Sequence, residues 1–376
     1  MFARIREILR KEIIQILRDP RMRGVIFVAP VFQLILFGYA VSTDVKHIQT
    51  AIYDLDNSVE SRELISRFLS NDYFSATARV QTDAEAVDLI DHGRVTTVIR
   101  MNAGFGEDIR AGRTAVLQII LDGTDSNTAG VVLSYTAKII QEYSSNILME
   151  RLDRLAGVPQ PIPQVDLQTR EWFNENLESR NYYIPATIAN LVTLVTLMLT
   201  GMAIVREKEI GTMEQIMVTP ITPWEFIIGK TLPFAAIAFL DLFLVMVIGV
   251  FWFDVPIRGN PFWLLLSTAF YLLTTLGIGL IISTLSSTQQ QAMMSTFFFF
   301  FPAMLLSGFM FPIANMPGSI QILTYLNPLS YYLVIIRGIF LKGIGPGVLW
   351  PQMLALAIMG PLTLFVASRR FKKTLK

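Results

Sequence analysis

The chain of 376 residues is 52% hydrophobic and only 16% charged, whereas soluble domains carry about 25% charged residues. This balance indicates an integral membrane protein, and a net charge of +1 gives no basis for nucleic-acid binding. The absence of cysteine excludes disulfides, thiolate catalysis and cysteine-based zinc sites, and two histidines are too few for a histidine-rich metal site.

Residues 1–20 carry Arg and Lys between apolar residues that recur every three or four positions, and this spacing predicts an amphipathic helix. A basic amphipathic helix beside a membrane span usually lies in the membrane interface. Packing of this helix on a partner protein is the alternative. We expect a cytoplasmic interfacial helix in contact with membrane lipid.

Stretches of about 20 mostly apolar residues are long enough to span a membrane. Six of them predict transmembrane helices at 24–42, 184–205, 226–252, 262–284, 291–311 and 349–367. Basic residues are concentrated before the first span and in the tail at 368–376, and Lys and Arg favour the cytoplasmic side. We therefore predict that both termini are cytoplasmic.

Residues 43–183 are polar and lie between the first two predicted spans, on the side opposite the cytoplasm. Strand-like runs such as IQTAIYD (48–54) and AVLQIILD (115–122) alternate with helix-like runs. This alternation is typical of a small α/β domain. We predict an extracytoplasmic α/β domain inserted between helices 1 and 2.

Asp54 and Asp56 follow an apolar strand, as in a phosphatase DxDx[TV] loop, but Ser58 stands where that pattern has Thr or Val. A turn, with Asn57 or Ser58 capping the next helix, explains the same residues. The segment 122–125 is explained as a turn and cap in the same way. We therefore predict no catalytic residues, and a membrane enzyme that uses Asp54 and Asp56 is a competing hypothesis.

The segment 206–222 contains a charged patch, REKEIGTMEQ, between the second and third predicted spans. Gly211 can end the helix that contains the second span. Thr212 and Gln215 have the spacing of a capping box, so a new helix can start at Met213.

Pro220 limits this new helix to about one and a half turns. A second capping box, Thr222 to Glu225, then begins the third span. A helix this short gains little from its own hydrogen bonds and needs a surface to pack on. Met213, Ile216 and Met217 give it an apolar stripe, and a cytoplasmic partner protein is the natural candidate.

These residues resemble the cytoplasmic loop of ABC-2 type permeases, the membrane subunits of ATP-driven exporters. The motifs that carry the resemblance are KE-x-x-Q-x-x-R-D-P (11–20), EKEIGTMEQ (207–215), VTP (218–220), GK (229–230), LLSGFMFP-x-x-x-MP (305–317) and LNPLSYYL-x-x-x-RGIFLKG (326–343). The resemblance covers essentially the whole chain. It is closest to bacterial drug exporters with an extracytoplasmic insert.

The resemblance implies an α-helical integral membrane protein of the ABC-2 exporter type, with six transmembrane helices and the α/β insert. In this family the short helix after the second span is a coupling helix that docks on the ATP-binding subunit. Contact with that subunit is therefore expected from Glu207, Glu209, Gly211, Thr212, Met213, Glu214, Ile216 and Met217. Residues 312–345 are expected to form extracytoplasmic or re-entrant helices.

ATP hydrolysis is expected on a separate chain. Gly229-Lys230-Thr231 has the end of a P-loop, but the pattern GxxxxGK[ST] needs glycine at position 224, which is Trp224. The chain is therefore expected to hold no cofactor and no metal, and ATP and Mg are expected on the partner subunit.

Asp241 lies near the middle of the third predicted span, where a carboxylate is costly and is a functional candidate by default. It could line the translocation path or bind a cationic substrate, and Gln33 in the first span is a second candidate. The alternative for Asp241 is an acid hydrogen-bonded to a neighbouring helix, and the sequence leaves both open.

The predicted function is a permease subunit that exports drug-like or other amphipathic substrates across the bacterial inner membrane. Six spans make half a transporter, so the expected partners are an ATP-binding cassette ATPase and a second copy or a paralogous permease. A periplasmic adaptor is a further candidate partner. The alternatives are export of ions, lipids or polysaccharide, or a membrane-anchored receptor or scaffold whose insert binds a ligand.

Overall fold

The computed structural model describes residues 2–40, 45, 47–71, 73–156, 172–174, 178–213 and 222–370. The chain divides into two compact units. The first unit comprises Met1–Ser42 with Arg170–Lys376, and the second comprises Thr43–Thr169.

The first unit begins with helices α1 (Phe2–Arg18) and α2 (Pro20–Arg23), a π-helical turn (Gly24–Val28) and α3 (Ala29–Ala40). The predicted first span at 24–42 is thus not one regular α-helix. In the π-helical turn the Ala29 N–H bonds to the Gly24 carbonyl. Pro30 follows, and proline cannot donate the next backbone hydrogen bond, which favours an irregular turn at this point.

The second unit alternates strands and helices. In chain order these are β1 (Ile48–Asp54), α4 (Val59–Leu69), β2 (Phe74–Arg79), α5 (Asp83–Asp91), β3 (Thr97–Met101), α6 (Phe105–Ala111), β4 (Leu117–Leu121) and α7 (Ser126–Ala156). The sheet order is β2-β1-β3-β4. β1 runs parallel to β2 and β3, and β4 pairs antiparallel with β3.

The sheet of the second unit is covered on both faces because its central strand is apolar at successive positions. Ile52 of β1 belongs to a cluster that includes residues of α4, α6 and α7, with Phe68 fully buried. Its neighbour Tyr53 belongs to a separate cluster with Ala86 of α5. Successive side chains of a strand point to opposite faces, so β1 contributes to both cores.

The aspartates at the end of β1 and after β4 make turns and caps. The Asp54 carboxylate accepts the backbone N–H groups of Asp56 and Asn57 at 3.0 and 2.9 Å, and the Ser58 hydroxyl caps α4 by accepting from the Ser61 N–H. Asp125 accepts the backbone N–H of Asn127 at the start of α7. The structural explanation of these residues is confirmed, and it favours a folding role for them over the phosphatase-like hypothesis.

Asp56 joins two loops of the second unit. Its carboxylate accepts the backbone N–H groups of Gly104 and Gly106, both at 2.8 Å, at the start of α6. A hydrogen bond from the Ser58 side chain, together with these two backbone donors, holds the pKa of Asp56 below its ordinary value. Negative charge at the N-terminus of a helix is also favoured by the helix dipole.

Asp56→Asn is expected to lower the stability of α6 by about 1 kcal/mol, because the amide loses the charge and one acceptor atom. Hydrogen exchange of the full chain at neutral pH should be faster in peptides covering Phe105–Ala111. Folding lowers the pKa of Asp56, so its carboxylate stabilises the folded protein at pH values above its ordinary pKa. This stabilisation is lost as the pH falls through the lower pKa of the folded state.

The control is Asp91→Asn, at an exposed aspartate in the last turn of α5. It should leave exchange in α6 unchanged. Equal exchange in the Asp56 variant and the wild type would contradict the linking role of this carboxylate.

The first unit continues with seven helices in the described residues. They are α8 (Ser179–Ile210), α9 (Pro223–Phe251), α10 (Pro261–Leu285), α11 (Gln289–Leu305), α12 (Gly318–Thr324), α13 (Pro328–Arg337) and α14 (Pro346–Arg370). A 3-10 turn (Ile313–Asn315) precedes α12, and a π-helical turn (Gly338–Lys342) follows α13.

Within the described part of the chain, four helices are long and apolar enough to cross a membrane, namely α8, α9, α10 and α14. α12 meets α13, together with the π-helical turn that follows α13, at a bend of 81°. This pair of helices could count as a fifth span or as a re-entrant segment. The predicted count of six therefore stays a prediction. The predicted span at 291–311 is too long, because α11 ends at Leu305 and Gly308 turns the chain with a φ of 83°.

Small and hydroxyl side chains let the long helices pack closely. A Cβ at Gly279 of α10 would overlap the Thr200 hydroxyl of α8, so glycine permits this approach. The Tyr271 hydroxyl shares a 2.5 Å hydrogen bond with Thr193 of α8. Its ring stacks at 4.2 Å on Tyr332 of α13. These contacts join α8, α10 and α13 through a buried polar layer.

Arg337 of α13 is held by backbone carbonyls and an aromatic ring. Its guanidinium lies 3.7 Å from the ring centroid of Tyr182 and donates to the Gly308 carbonyl at 3.0 Å. Arg337 thereby links α13 to the first turn of α8 and to the turn after α11.

Candidate functional site

The candidate site is the charged end of α8 and the residues around it. The helix continues beyond the predicted span through Arg206, Glu207, Lys208 and Glu209, which we call the REKE turn. It ends at Gly211, which adopts a left-handed conformation with φ of 83°. The predicted helix stop is thus confirmed, and glycine suits it because other residues are strained at this φ.

A buried ion cluster lies beside the REKE turn. The Lys230 ammonium, near the start of α9, lies 2.6 Å from the Glu12 carboxylate and 2.7 Å from the Glu207 carboxylate. The side chains of all three are at most 5% exposed. Buried charges are costly unless they are paired, so each of these residues depends on the others.

Glu207 has two more partners in the cluster. Lys11 of α1 donates to its carboxylate at 2.8 Å, and the Thr212 hydroxyl makes a short hydrogen bond to it. Two lysines and two glutamates therefore balance in charge. The cluster joins α1, α8, α9 and the residue that follows Gly211.

The remaining charges of the REKE turn reach three further parts of the chain. Arg206 pairs with Asp19, between α1 and α2, at 3.4 Å. Lys208 donates to the Thr284 carbonyl at 3.3 Å and to the Ser286 carbonyl at 3.4 Å, at the end of α10. Glu209 accepts hydrogen bonds from Gln289, the first residue of α11.

These contacts change the interpretation of the charged patch. The Glu207 carboxylate is buried and points into the protein, so it positions the chain instead of facing a partner. The Thr212 hydroxyl bonds back to Glu207, whereas the sequence predicted a capping box with Gln215. Gln215 lies outside the described residues.

The other predicted docking residues divide in two groups. Met213 is half-buried and packs near Ile204 and Phe226 in a small apolar cluster. Glu214, Ile216 and Met217 lie outside the described residues.

The predicted capping box at the start of α9 is confirmed. The Thr222 hydroxyl accepts the Glu225 N–H at 3.3 Å, and the Glu225 carboxylate accepts the Thr222 N–H at 2.8 Å. Together with the stop at Gly211, this box fixes where the segment 211–222 leaves one helix and enters the next.

α1 packs on its own chain, which is a third possibility beside the two that the sequence left open. A Cβ at Gly229 of α9 would lie 2.8 Å from the Ile8 side chain, so α1 lies directly against the α9 backbone here. Ile16 is buried, whereas Ile13 and Ile14 are 45% and 42% exposed. The exposed side remains available for the predicted membrane interface.

Asp241 and Gln33 lie on different helices, α9 and α3. Asp241 is 1% exposed, and neither carboxylate oxygen has a hydrogen-bond partner among the described residues. The predicted alternative, an acid bonded to a neighbouring helix, is therefore not seen in this part of the chain. Gln33 is half-buried.

Comparison with known proteins places the chain in a family. Residues 22–369 match the model of the ABC-2 family transporter proteins. The chain belongs to the ABC-2 transporter family. The family resemblance of its motifs is thereby confirmed, and this ABC-2 permease is a membrane permease subunit of an ABC transporter.

Three relatives from Escherichia coli K12 illustrate the similarity. A probable multidrug ABC transporter permease, YbhR, is 33% identical over 99% of both chains. YbhS, which carries the same description, is 32% identical over 94% of this chain and 93% of its own. The inner membrane transport permease YhhJ is 30% identical over 86% of this chain and 85% of its own. Family membership implies association with an ATP-binding cassette subunit.

Sequence reasoning missed the lysines and Glu12 of the ion cluster. Lys230 was noted only in a family motif and in a failed P-loop, although a lysine inside the first turns of an apolar helix needs a partner. Glu12 lies four residues from both Ile8 and Ile16, so it falls on the apolar side of α1. The signal that could have found them is a charge on an otherwise apolar helix face.

Lys230→Met is expected to lower the free energy of unfolding of the permease by about 3 kcal/mol, because two carboxylates lose their shared buried cation. Adding Glu12→Gln to this variant should recover part of that loss, since it removes one uncompensated charge. Glu12→Gln alone should destabilise. Thermal unfolding of the purified permease in detergent measures all three.

Glu7→Gln is the matched control, because Glu7 lies on the same helix with a side chain that is 59% exposed. It should leave the melting temperature unchanged. Additive losses in the Lys230→Met/Glu12→Gln double variant would contradict a shared cluster.

Proposed function

We propose that this ABC-2 permease exports amphipathic, drug-like compounds and is driven by a separate ATPase subunit that docks on the segment 211–222. The observation that carries the proposal is the REKE turn with its ion cluster. The two helices that flank this segment are anchored to each other through Glu207 and Lys230, so force applied to the segment reaches both helices.

The proposed division of roles follows from which carboxylates are engaged within the chain. Gly211, Thr212 and Met213, with Glu214, Ile216 and Met217, are assigned to the docking surface. Glu207 and Glu209 are assigned to positioning, because their carboxylates are engaged within the chain. ATP and Mg are assigned to the partner subunit, and no cofactor is assigned to this chain.

The proposed assembly contains two permeases and two ATPase subunits, with the second permease either an identical copy or a paralogue. Both termini are placed in the cytoplasm and the second unit outside it. A periplasmic adaptor is a further proposed partner of the second unit. The basis for this orientation is the excess of Lys and Arg at both ends of the chain.

Drug-like substrates are favoured by two observations. The names of YbhR and YbhS describe them as probable multidrug permeases. In addition, the long helices of this chain are mostly apolar, with Asp241 a buried exception on α9. We assign Asp241 to interaction with cationic substrates. Export of ions, lipids or polysaccharide is the alternative.

Met213→Asp combined with Met217→Asp is expected to reduce binding of the ATPase subunit by more than about tenfold, because apolar anchor residues dominate such interfaces. Co-purification of the ATPase from detergent, with the permease tagged, measures this. Val116→Asp, at an exposed apolar residue of the second unit, is the control. If no P-loop ATPase accompanies the wild-type permease, the receptor or scaffold hypothesis is favoured.

Asp241→Asn is expected to abolish stimulation of ATP hydrolysis by cationic amphiphiles and to preserve stimulation by neutral ones. The reason is that a buried carboxylate attracts a cation in an apolar surrounding much more strongly than an amide does. Assays on the reconstituted complex with one cationic and one neutral compound of similar size measure the difference. An equal loss for both compounds would assign Asp241 to packing.

A further inference from the structure

We propose that Glu209 and Lys208 carry movement of the docking segment to the turn between α10 and α11, residues Ser286–Thr288. This route is distinct from the ion cluster, which reaches α1 and α9. It rests on the proposed docking of an ATPase at segment 211–222. Lys208 and Glu209 are positioning residues in this scheme, because they act through other parts of the permease.

The two side chains complement the two helix ends that they contact. Lys208 donates to the carbonyls of Thr284 and Ser286, at the end of α10, where backbone carbonyls lack helical partners. Glu209 accepts the backbone N–H of Gln289 at 2.8 Å and also bonds to its side-chain amide. A cation therefore meets the negative end of one helix dipole and an anion meets the positive end of the next.

α11 does not depend on Glu209 for its own start. The Thr288 hydroxyl already accepts the Gln291 N–H at 3.1 Å, and the Gln291 side chain accepts the Ser287 N–H at 2.8 Å. These local bonds cap the helix. The bonds from Glu209 come from a residue 80 positions earlier in the chain and add a connection to α8.

A buried contact one turn earlier supports this connection. The Ser283 hydroxyl of α10 accepts the backbone N–H groups of Ile204 and Val205 of α8 at 3.0 and 3.2 Å. Four residues of α8, namely Ile204, Val205, Lys208 and Glu209, are therefore bonded to the end of α10 or the start of α11. Such a row of contacts transmits displacement, because the two helices cannot slide without breaking several hydrogen bonds together.

The consequence is that α11 moves with α8. α11 presents an apolar side that the described residues leave largely exposed, with Met294 65%, Phe298 84% and Phe301 52% exposed. A shift of its first residue changes the position of this apolar side. The docking segment thereby acts on a helix that lies two connections further along the chain.

Glu209→Ala is expected to lower substrate-stimulated ATP hydrolysis by about two- to tenfold, the effect of losing one or two hydrogen bonds. Gln289→Ala removes only the side-chain bond and should have a smaller effect in the same direction. The double variant should be no worse than Glu209→Ala, because both changes break one connection. Gln290→Ala, at an exposed residue of the same type one position along, is the control.

Co-purification of the ATPase separates positioning from direct contact. All three variants should retain the ATPase as the wild type does. If Glu209→Ala loses the ATPase while Gln289→Ala keeps it, Glu209 contacts the partner directly and the proposal is overturned. Failure of the docking proposal itself gives a different result, because the wild-type permease then recovers no ATPase.

A cross-link tests whether the two positions move together. The natural chain contains no cysteine, so Glu209→Cys with Gln289→Cys introduces one pair. Oxidation should raise transport by this variant above that of its reduced form, because the disulfide restores the connection that the two substitutions remove. Loss of transport on oxidation, with recovery on reduction, would show that the two residues separate during the cycle and would overturn the proposal.

Discussion

The ion pairs of Lys230 are the contacts on which the end of the bundle that holds the REKE turn depends. A single buried ammonium is shared by Glu12 and Glu207, so two distant parts of the chain meet at α9. Each buried charge alone would carry a large desolvation cost. Lys230 and Lys11 together neutralise the two glutamates, so the cluster is stable only when all four side chains are present. The end of α8 and the start of α9 are therefore positioned by electrostatics as well as by apolar packing.

Much of the local structure follows from residues with strong backbone or helix-capping preferences. Gly211 ends a helix because it adopts a positive φ, and the Thr222 and Ser58 caps start helices, as short-range chemistry predicts. The family was also recognisable from motifs spread along the chain. The limits of the apolar elements were less predictable, since the π-helical turn before α3 and the end of α11 at Leu305 depend on proline and glycine placement.

The charged patch could be located from the sequence, but its contacts could not. Hydropathy and caps locate the charged patch, but no local pattern tells that Glu207 meets Lys11, since the two are 196 residues apart. Tertiary packing decides whether a charged residue faces a partner or its own chain. The spacing of residues along a single sequence does not reveal that packing. The same is true of Glu209 and Gln289.

The packing of α1 against α9 has a consequence for how such permeases can be recombined. Ile8 fits against Gly229, and Glu12 needs Lys230 opposite it, so α1 is matched to the start of α9. A chimera that takes its N-terminal segment from a relative inherits a helix fitted to a different surface. The first twenty residues and the start of α9 therefore form one module, although more than two hundred residues separate them in the sequence.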